Sequence, residues 1–515
     1  MRLAMNVEEL YKPFRNYLRK VGLIESLWVI HAYVQHLQYG RAMPLEIEVL
    51  QSVSAKGVLG RFVHPWSLDV LAREVLINSP DESARHTSRT LRNWNYFAAT
   101  LNKLKLFEDV LGEAYPKGSI MLELHRIAHR QFQWQMPPTS RWISRYYKVF
   151  SHPVLDRILQ RKLGLTVKEL YLVGLAYMGH YWNDAVLRYP PRIDVPGLHV
   201  EMFERVRAHF SLELANMRAR ALEARELNVN YAYASNPLRI YPMVQMNVDG
   251  HDSLVVPIPA FLTRRLTEGI YYEIRGEPEF AEAFGESFQS YVGEVIARAN
   301  VRGTLSISQE REYYLGGLRK DTVDWMVEDG AGVLFVECKT KRLRLEAKSD
   351  IRTESAFERE LEKLAEFISQ VYRTIADYKA GVYPNCAHQN GKEVFPIVVT
   401  LEEWHVFGPK SHASLEERVR RRLLEDKLPA EWAGEMPYSI CSVNEFEHVI
   451  QVIEGRGIAE VMRRKAGHSE FRQWEMHGFL RQEFREEFNG RRELFPEVLD
   501  ELVPFDLRDD SARST

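Results

Sequence analysis

The chain has 515 residues, of which 45% are hydrophobic and 27% charged, a composition that supplies apolar material for buried cores and excludes a disordered chain. At roughly 100 to 200 residues per domain, this length predicts about three units. The formal net charge of −3 excludes a globally basic protein, so a nucleic-acid contact requires a local cluster of Lys and Arg.

The N-terminal part of the chain is predicted to be mainly helical, because apolar residues recur there at helical spacing. One periodic run follows Asn6, a favourable N-cap, and prolines bracket a long charged helix that we predict from Glu201 to Glu226. We therefore predict a helical domain at residues 1–110 and a helical or mixed recognition domain at residues 111–275.

A change of pattern marks the end of that region. The segment Tyr241 to Ile258 partly alternates and predicts strands, which its prolines confine to sheet edges or strand ends. The sequence Arg275-Gly276-Glu277-Pro278 is typical of a linker. We place a domain boundary near residue 275.

Residues 276–455 are predicted to form a mixed α/β domain, and residues 456–515 a charged helical extension. The predicted order is α-β-β-β-α-β-α-β-α, with central strands that are apolar on both faces, as in a covered sheet. The predicted elements are a helix from near Pro278, strands at Gly303 to Tyr313, Thr322 to Glu328 and Gly332 to Lys339, a helix through Phe357 to Ile375, a strand at Val394 to Leu401, a helix at Ser414 to Leu428, a strand at Tyr438 to Cys441 and a helix at Asn444 to Ile453.

Candidate chemistry lies around the hairpin between the second and third predicted strands. Asp324 lies on the second strand, and Glu337 and Lys339 end the third, so a tight hairpin brings all three together. Glu337 and Lys339 share one face of the strand because side chains alternate, whereas Cys338 points to the other. Two carboxylates and an ammonium at buried strand ends need compensation, which a hard divalent cation such as Mg²⁺ supplies.

These residue types suit phosphodiester hydrolysis. A carboxylate-bound metal lowers the pKa of a water and acts as a Lewis acid on phosphate, while Lys339 orients or deprotonates the water or stabilises transition-state charge. The simpler alternative is a surface ion pair between Glu337 and Lys339. The other E-x-K triplets, Glu346-Ala347-Lys348 and Glu425-Asp426-Lys427, have no hairpin partner.

This arrangement resembles the PD-(D/E)xK, restriction-endonuclease-like nuclease superfamily, with Asp324 as the motif's Asp and Glu337-Cys338-Lys339 as its E-x-K. The resemblance covers about a third of the chain, and Val323 stands where the motif has Pro. It implies an α/β nuclease core of helix, three-stranded meander, helix and strand behind a large, mainly α-helical N-terminal region. It also implies Mg²⁺, with Mn²⁺ as an alternative, held by Asp324, Glu337 and the carbonyl of Cys338, with Lys339 as the catalytic lysine.

Many members of the superfamily carry a further metal-binding Glu on the preceding helix. Here Gln289 stands at that place in Gly285-Glu286-Ser287-Phe288-Gln289, so we expect the carboxylate to be missing or displaced. Glu294 is the better substitute as a metal ligand and Glu286 the weaker one, and for each of them an ordinary solvated helix surface is the favoured alternative. Gln370, on the following helix, resembles a polar position that some relatives use near the site.

Positive charge surrounds the predicted site and predicts contacts to nucleic-acid phosphates. Lys341, Arg342 and Arg344 follow the third strand, and Arg319 and Lys320 precede the hairpin. Such a cluster would make binding depend on salt concentration. An ordinary solvated face explains each single residue equally well.

The leading functional hypothesis is a magnesium-dependent endonuclease that acts on DNA, with RNA as an open alternative. The N-terminal region is then a sensor or recognition module, for a protein trigger or a nucleic-acid feature, in restriction or anti-phage defence by analogy. The rival hypothesis is a catalytically inactive module that binds nucleic acid or protein. The sequence leaves the oligomeric state open.

Other features bear on location. The three cysteines Cys338, Cys386 and Cys441 are widely separated, so they predict no disulfide framework and fit a reducing cytoplasm. The longest apolar stretch, Leu170 to Met178, is far short of the roughly 20 residues that span a bilayer. We expect a cytoplasmic protein without a signal peptide or membrane segment.

Overall fold

The computed structural model describes residues 6–81, 88–113, 120–135, 137–193, 195, 197–340, 354–384, 391–404, 406 and 408–503. The chain forms two compact units. The N-terminal unit comprises Met1–Gly118, His129–Phe280 and Glu497–Thr515, and the C-terminal unit comprises Ser119–Ala128 and Ala281–Pro496. The division into four domains stays a prediction.

The N-terminal unit is mainly helical, as its apolar periodicity predicts. Its helices are α1 (Val7–Leu18), α2 (Leu23–Tyr39), α3 (Lys56–Leu59), α4 (Pro65–Asn78), α5 (Trp94–Glu113), the C-terminal end of α6 (Ile120–Gln131), α7 (Ser140–Phe150), α8 (Pro153–Leu163), α9 (Val167–Tyr181), α10 (Val200–Phe210), α11 (Leu214–Ala224), α12 (Pro259–Leu266) and α13 (Ile270–Ile274). Local signals set several ends: α8 begins at a proline and ends before Gly164, whose φ is 71°, and Thr166 caps α9 through a reciprocal bond with Glu169.

A small sheet accompanies these helices. Its strands β1 (Val186–Arg188), β2 (Ser211–Glu213), β3 (Met243–Val248) and β4 (His251–Val255) lie in the order β1-β4-β3-β2. The prediction of one continuous helix from Glu201 to Glu226 was wrong, because β2 separates α10 from α11. Ser211 pairs with Met243 on β3, so tertiary strand pairing overrides the local helical pattern at this point.

The C-terminal unit is a mixed α/β structure with a five-stranded sheet in the order β11-β10-β9-β8-β5. Its strands are β5 (Ser306–Gln309), β8 (Trp325–Glu328), β9 (Gly332–Lys339), β10 (Glu393–Thr400) and β11 (Ser439–Ser442), and β6 (Glu312–Leu315) and β7 (Leu318–Asp321) form a separate hairpin. Its helices are α14 (Phe280–Ala299), α15 (Glu354–Lys379), α16 (Gly408–Glu425), α17 (Trp432–Glu435), α18 (Val443–Arg456), α19 (Ile458–Gly467), α20 (Met476–Glu483) and α21 (Arg485–Asn489), and α22 (Glu497–Leu502) belongs to the N-terminal unit. None of the helices in the described ranges has the length and apolar character needed to cross a bilayer.

The meander differs from its prediction in one respect. The predicted strand Gly303 to Tyr313 is broken after Gln309, and the next residues enter the β6–β7 hairpin instead. Gly316 and Gly317, with φ of 60° and 80°, form its turn in a region of backbone space that favours glycine. The hairpin is therefore an insertion between β5 and β8.

Helices cover both faces of the five-stranded sheet. On one face, Met326 and Phe335 pack with Leu361, Leu364 and Ile368 of α15 in a continuous apolar core. Trp325 points to the opposite face because side chains alternate along β8, and its indole N–H donates to the main-chain oxygen of Gln289 on α14 at 2.9 Å. The two faces thus rest on different helices.

A close approach of backbone to ring fixes α14 against β8. A Cβ placed on Gly293 would lie 2.1 Å from the Trp325 ring, whereas a Cβ on Gly285 of the same helix would meet nothing within 4 Å. We expect Gly293→Ala to lower the free energy of unfolding by about 1 to 3 kcal/mol through overpacking. Gly285→Ala should raise it by up to about 1 kcal/mol.

Chemical denaturation of the two variants beside the wild type measures this contrast. The helix propensity gained is the same in both, so the difference isolates the contact with Trp325. Equal stabilisation of both variants would contradict the close approach of α14 to β8.

Candidate active site

Three carboxylates lie in a row across β5, β8 and β9. Gln309 pairs with Trp325, and Trp325 pairs with Val336, at the ends of these antiparallel strands. The next residues are Glu310, Asp324 and Glu337, which therefore continue the two registers directly opposite one another. The Glu310 N–H donates to the Asp324 carbonyl at 2.9 Å, which confirms the first pairing. Directly opposite residues project from the same face of a sheet, so we call Glu310, Asp324 and Glu337 the carboxylate row.

Lys339 stands beside this row and contacts two of the predicted site residues. Its Nζ donates to Oε1 of Glu337 at 2.5 Å and to Oε1 of Gln370 on α15 at 3.0 Å. Only 20% of the Lys339 side chain and 5% of the Glu337 side chain are exposed, so this is a largely buried ion pair and not the solvated pair of the simpler alternative. Lys339 Nζ also lies 5.4 Å from the centre of the Phe367 ring, within range of a cation–π contact.

Asp324 is held by the main chain of β9. Its Oδ2 accepts the N–H of Cys338 at 2.5 Å. Asp324, Glu337, Cys338 and Lys339 therefore come together as the sequence predicts, because β8 and β9 form the expected hairpin. Gln370, for which the sequence gave only a weak signal, joins them through Lys339.

The electrostatics of the site are those of crowded, poorly solvated carboxylates. Burial and the charge of Glu337 raise the pKa of Asp324 to about 8, with a further contribution from Glu310. Burial raises the pKa of Glu337 as well, against the opposing effects of Lys339 and Arg373. Burial lowers the pKa of Lys339, but the Glu337 carboxylate outweighs it, so this pKa stands above its ordinary value and Lys339 is an ammonium.

Glu310 is the site residue that sequence reasoning missed. It sits at the break between β5 and the β6–β7 hairpin, where the predicted strand ran on without interruption. Its carboxylate accepts Nε2 of Gln289 at 2.8 Å. Gln289 thus reaches the edge of the carboxylate row from α14, and Glu310 supplies a carboxylate where Gln289 cannot.

Glu294 lies five residues beyond Gln289 on α14. At about 100° per residue, its side chain leaves the helix some 140° away from that of Gln289. Glu286, three residues before Gln289, departs by about 60° and is exposed. A metal-binding role for Glu294 stays a prediction, and Glu310 is the better-placed acid.

Two of the predicted nucleic-acid-binding residues lie on the β6–β7 hairpin, and both are paired with acids. Arg319 lies 3.0 Å from Glu312, and Lys320 Nζ lies 2.6 Å from Oδ2 of Asp377 on α15. Arg319 is 64% exposed and Lys320 37%, so both face solvent while paired. Lys341, Arg342 and Arg344 lie outside the described residues.

The acids of the site are not gathered around one point. Within the described ranges, no group of three or more His, Cys, Asp or Glu side chains is arranged to hold a metal ion. The contacts explain this: Lys339 binds Glu337, the Cys338 N–H binds Asp324, and Gln289 binds Glu310. The three carboxylates share a row, but each is turned to a different protein donor.

Comparison with known proteins identifies no family for this chain. No family model and no curated protein match the sequence. The crystal structure of protein VC1899 from Vibrio cholerae aligns with 85% of this chain and 97% of its own, at 13% identity and a TM-score of 0.19. A similarity at this level supports no inference about fold or function.

Proposed function

We propose that the C-terminal unit is a metal-dependent nuclease of the PD-(D/E)xK kind that hydrolyses phosphodiester bonds, with DNA as the expected substrate. The observation that carries the proposal is the carboxylate row with Lys339 beside it. The row lies at the ends of three neighbouring strands, in a unit whose elements follow the order helix, meander, helix and strand. Strand pairing alone would not concentrate three acids on neighbouring strands, because like charges opposite one another are destabilising.

The residues fit a hard divalent cation by donor type. Carboxylate and carbonyl oxygens are the ligands that Mg²⁺ prefers, and Asp324, Glu337, Glu310 and the Cys338 carbonyl are the oxygens on offer. When bound, Mg²⁺ or Mn²⁺ would lower the pKa of a water and neutralise charge on the phosphate. Asp324 and Glu337 would hold the cation, with Glu310 completing the set on release from Gln289.

Lys339 supplies the chemistry that carboxylates cannot. Its ammonium is held between Glu337 and Gln370, so it is oriented before substrate arrives. In that place it donates hydrogen bonds to the attacking water or to a phosphate oxygen, where negative charge grows in the transition state. Gln370 is a positioning residue, which acts through Lys339.

The experiment that tests the proposal is cleavage of supercoiled plasmid, linear DNA and RNA by the full chain with Mg²⁺, Mn²⁺ or EDTA, compared with Glu337→Gln. Metal-dependent cutting by the wild type that is lost in the variant supports the nuclease and gives its substrate class. If a well-folded wild type cuts none of the three substrates with either metal, the rival binding module is favoured.

Glu310 gives a separate prediction. We expect Glu310→Gln to weaken Mg²⁺ binding, so that the Mg²⁺ concentration needed for half-maximal cleavage rises by about 10- to 100-fold, as loss of a metal-site partner commonly causes. The Mg²⁺ concentration for half-maximal cleavage measures it, with Glu312→Gln, two residues further on the hairpin, as the matched control. The same Mg²⁺ requirement in both variants would remove Glu310 from the site.

A role can also be proposed for the N-terminal unit. We propose that it is the sensor or recognition module and that the protein serves in restriction or anti-phage defence, an idea that rests on analogy alone. If this region restrains the nuclease, a protein trigger should raise cleavage by the full chain.

A further inference from the structure

A cavity lies within the C-terminal unit, one strand along the sheet from β9, which carries Glu337 and Lys339. It has a volume of about 100 Å³, and besides Thr400 and Cys441 its walls include three aromatic residues, two bases and three acids: Trp404, Tyr438, Trp474, Lys465, Arg472, Glu403, Glu445 and Glu475. Of the acids, Glu445 is engaged, because its carboxylate accepts the N–H groups of Ser442 and Met476. Thr400 ends β10, and Cys441 lies one residue before the end of β11, so the cavity opens at the carboxyl ends of two parallel strands. Ligands of open α/β sheets bind at such strand ends.

Two polar side chains at this cavity have no hydrogen-bond partner within the described part of the chain. The Arg472 guanidinium makes no hydrogen bond or ion pair with any residue that the structure describes, although Arg472 is half-buried. The Tyr438 hydroxyl likewise has no hydrogen-bond partner among the described residues. Neither group is fully buried, so both reach the space of the cavity and are available to hydrogen-bond a ligand there.

The wall that carries Arg472 is fixed. Lys465 is 5% exposed, and its Nζ donates to the carbonyls of Phe471 at 2.6 Å, Arg472 at 3.3 Å and Trp474 at 3.0 Å. Burial lowers the pKa of Lys465 to about 8, against the opposing effect of Glu445. All three donors of Lys465 are engaged, so it shapes the segment from Phe471 to Trp474 and leaves Arg472 as the cation that is free to bind.

The chemistry of the walls selects the ligand. Trp404, Trp474 and Tyr438 supply aromatic surface in the walls, and aromatic side chains bind nucleobases by stacking with little dependence on sequence. A guanidinium suits a phosphate, because its planar fork of N–H donors matches the phosphate oxygens. A cavity of about 150 Å³ accommodates benzene, so the present one holds part of a base with the remainder in its open mouth.

We propose that this cavity is a nucleotide-binding site, in which the aromatic side chains stack the base and Arg472 binds the phosphate. The nucleotide comes either as a free mononucleotide or as one unit of a single strand. The site lies beside the candidate active site, because Thr400 pairs with Lys339 in the parallel register of β9 and β10. Its ability to bind is independent of cleavage.

The test measures binding by isothermal titration with the full chain in EDTA, so that no cleavage occurs. The probes are the four deoxynucleoside monophosphates and a short single-stranded DNA of mixed sequence. We expect Arg472→Ala to weaken binding by about tenfold or more, since a charge-assisted hydrogen bond is lost. Tyr438→Phe should weaken it by about two- to tenfold without moving the denaturation midpoint, because the hydroxyl bonds to none of the described residues and has no such bond to lose.

Tyr314→Phe, an exposed tyrosine on the β6–β7 hairpin, is the matched control and should bind like the wild type. Weaker mononucleotide binding in the Arg472 and Tyr438 variants supports the site with a free nucleotide as its ligand. If the variants bind only the single-stranded DNA more weakly, the result supports the site with a nucleotide of a single strand as its ligand. Equal binding by the wild type and both variants, or no binding by any of them, overturns the proposal and leaves the cavity to water. Neither of these outcomes bears on the cleavage assay.

Discussion

Replacing Lys339 with Met is expected to lower the rate of metal-dependent cleavage by about 10²- to 10⁴-fold, the range over which a positioned proton donor or charge stabiliser contributes. Methionine keeps the apolar stem near Phe367 and removes only the ammonium. The loss should fall on the rate at saturating substrate, since in the proposed mechanism Lys339 acts on charge that develops during the reaction. Single-turnover cleavage of a defined DNA substrate measures it.

The chain offers a closely matched control for this variant. Lys392 Nζ lies 2.5 Å from Oε1 of Glu328, which ends β8 at the opposite end of the sheet, and these side chains are 13% and 18% exposed. The Lys339–Glu337 pair has the same separation of 2.5 Å and similar burial. Lys392→Met should therefore leave cleavage within about twofold of the wild type, because it removes an ion pair without chemistry. If both variants lost the same amount of cleavage activity, the Lys339–Glu337 pair would act by stabilising the fold. If Lys339→Met kept full activity, Lys339 would have no role in catalysis.

Replacing Asp324 with Asn should have opposite effects on activity and stability. The amide still accepts the Cys338 N–H, but it no longer binds a cation as a carboxylate does, so cleavage should fall by about 10²-fold or more. In EDTA the same variant should be more stable than the wild type by about 1 to 2 kcal/mol near pH 8, because a poorly solvated, buried carboxylate and its like-charge contact with Glu337 are both gone.

The pH dependence follows from the raised pKa of Asp324. The folded protein holds the proton up to about pH 8, whereas an unfolded Asp releases it near about pH 4. Between these values the folded state binds more protons, so the stability that this group contributes is lost as pH rises. The advantage of Asp324→Asn should therefore be small near about pH 5 and largest near about pH 8.

Denaturation in EDTA at both pH values checks this behaviour, with Asp252→Asn, an exposed residue of β4, as the control. Addition of Mg²⁺ should reverse the order, since a ligand that binds only the folded wild type stabilises it. An advantage that does not change with pH would contradict a raised pKa for Asp324.

The parts of the site that depend on local sequence could be predicted, and the parts that depend on pairing could not. The apolar run into Glu337-Cys338-Lys339 and the short turn after β8 fix one hairpin, so Asp324, Glu337 and Lys339 were found together. Glu310 was missed because its position depends on where β5 stops. That point is set by the pairing of Gln309 with Trp325 and by the inserted hairpin, which periodicity does not encode.

The helices show the same division. The stripe from Phe357 to Ile375 predicted α15, because seven-residue spacing of apolar side chains is a strong local signal. The helix predicted from Glu201 to Glu226 failed at β2, where contact with β3 decides the backbone. Gln370 was identified from the resemblance to the PD-(D/E)xK motif, but its bond to Lys339 could be seen only in three dimensions.

The β6–β7 hairpin leaves the sheet after Glu310 and returns just before Asp324, so both of its roots end on acids of the candidate site. Hydrogen bonds fasten these roots: the Thr322 N–H donates to the Arg311 carbonyl at 2.9 Å, and the Arg311 N–H to the Thr322 hydroxyl at 2.8 Å. Its tip, in contrast, carries Leu318 at 70% exposure. Lengthening or exchanging that tip would therefore change the surface beside the candidate site without shifting either acid. In the proposed nuclease, the hairpin tip is the place where sequence changes could alter substrate specificity.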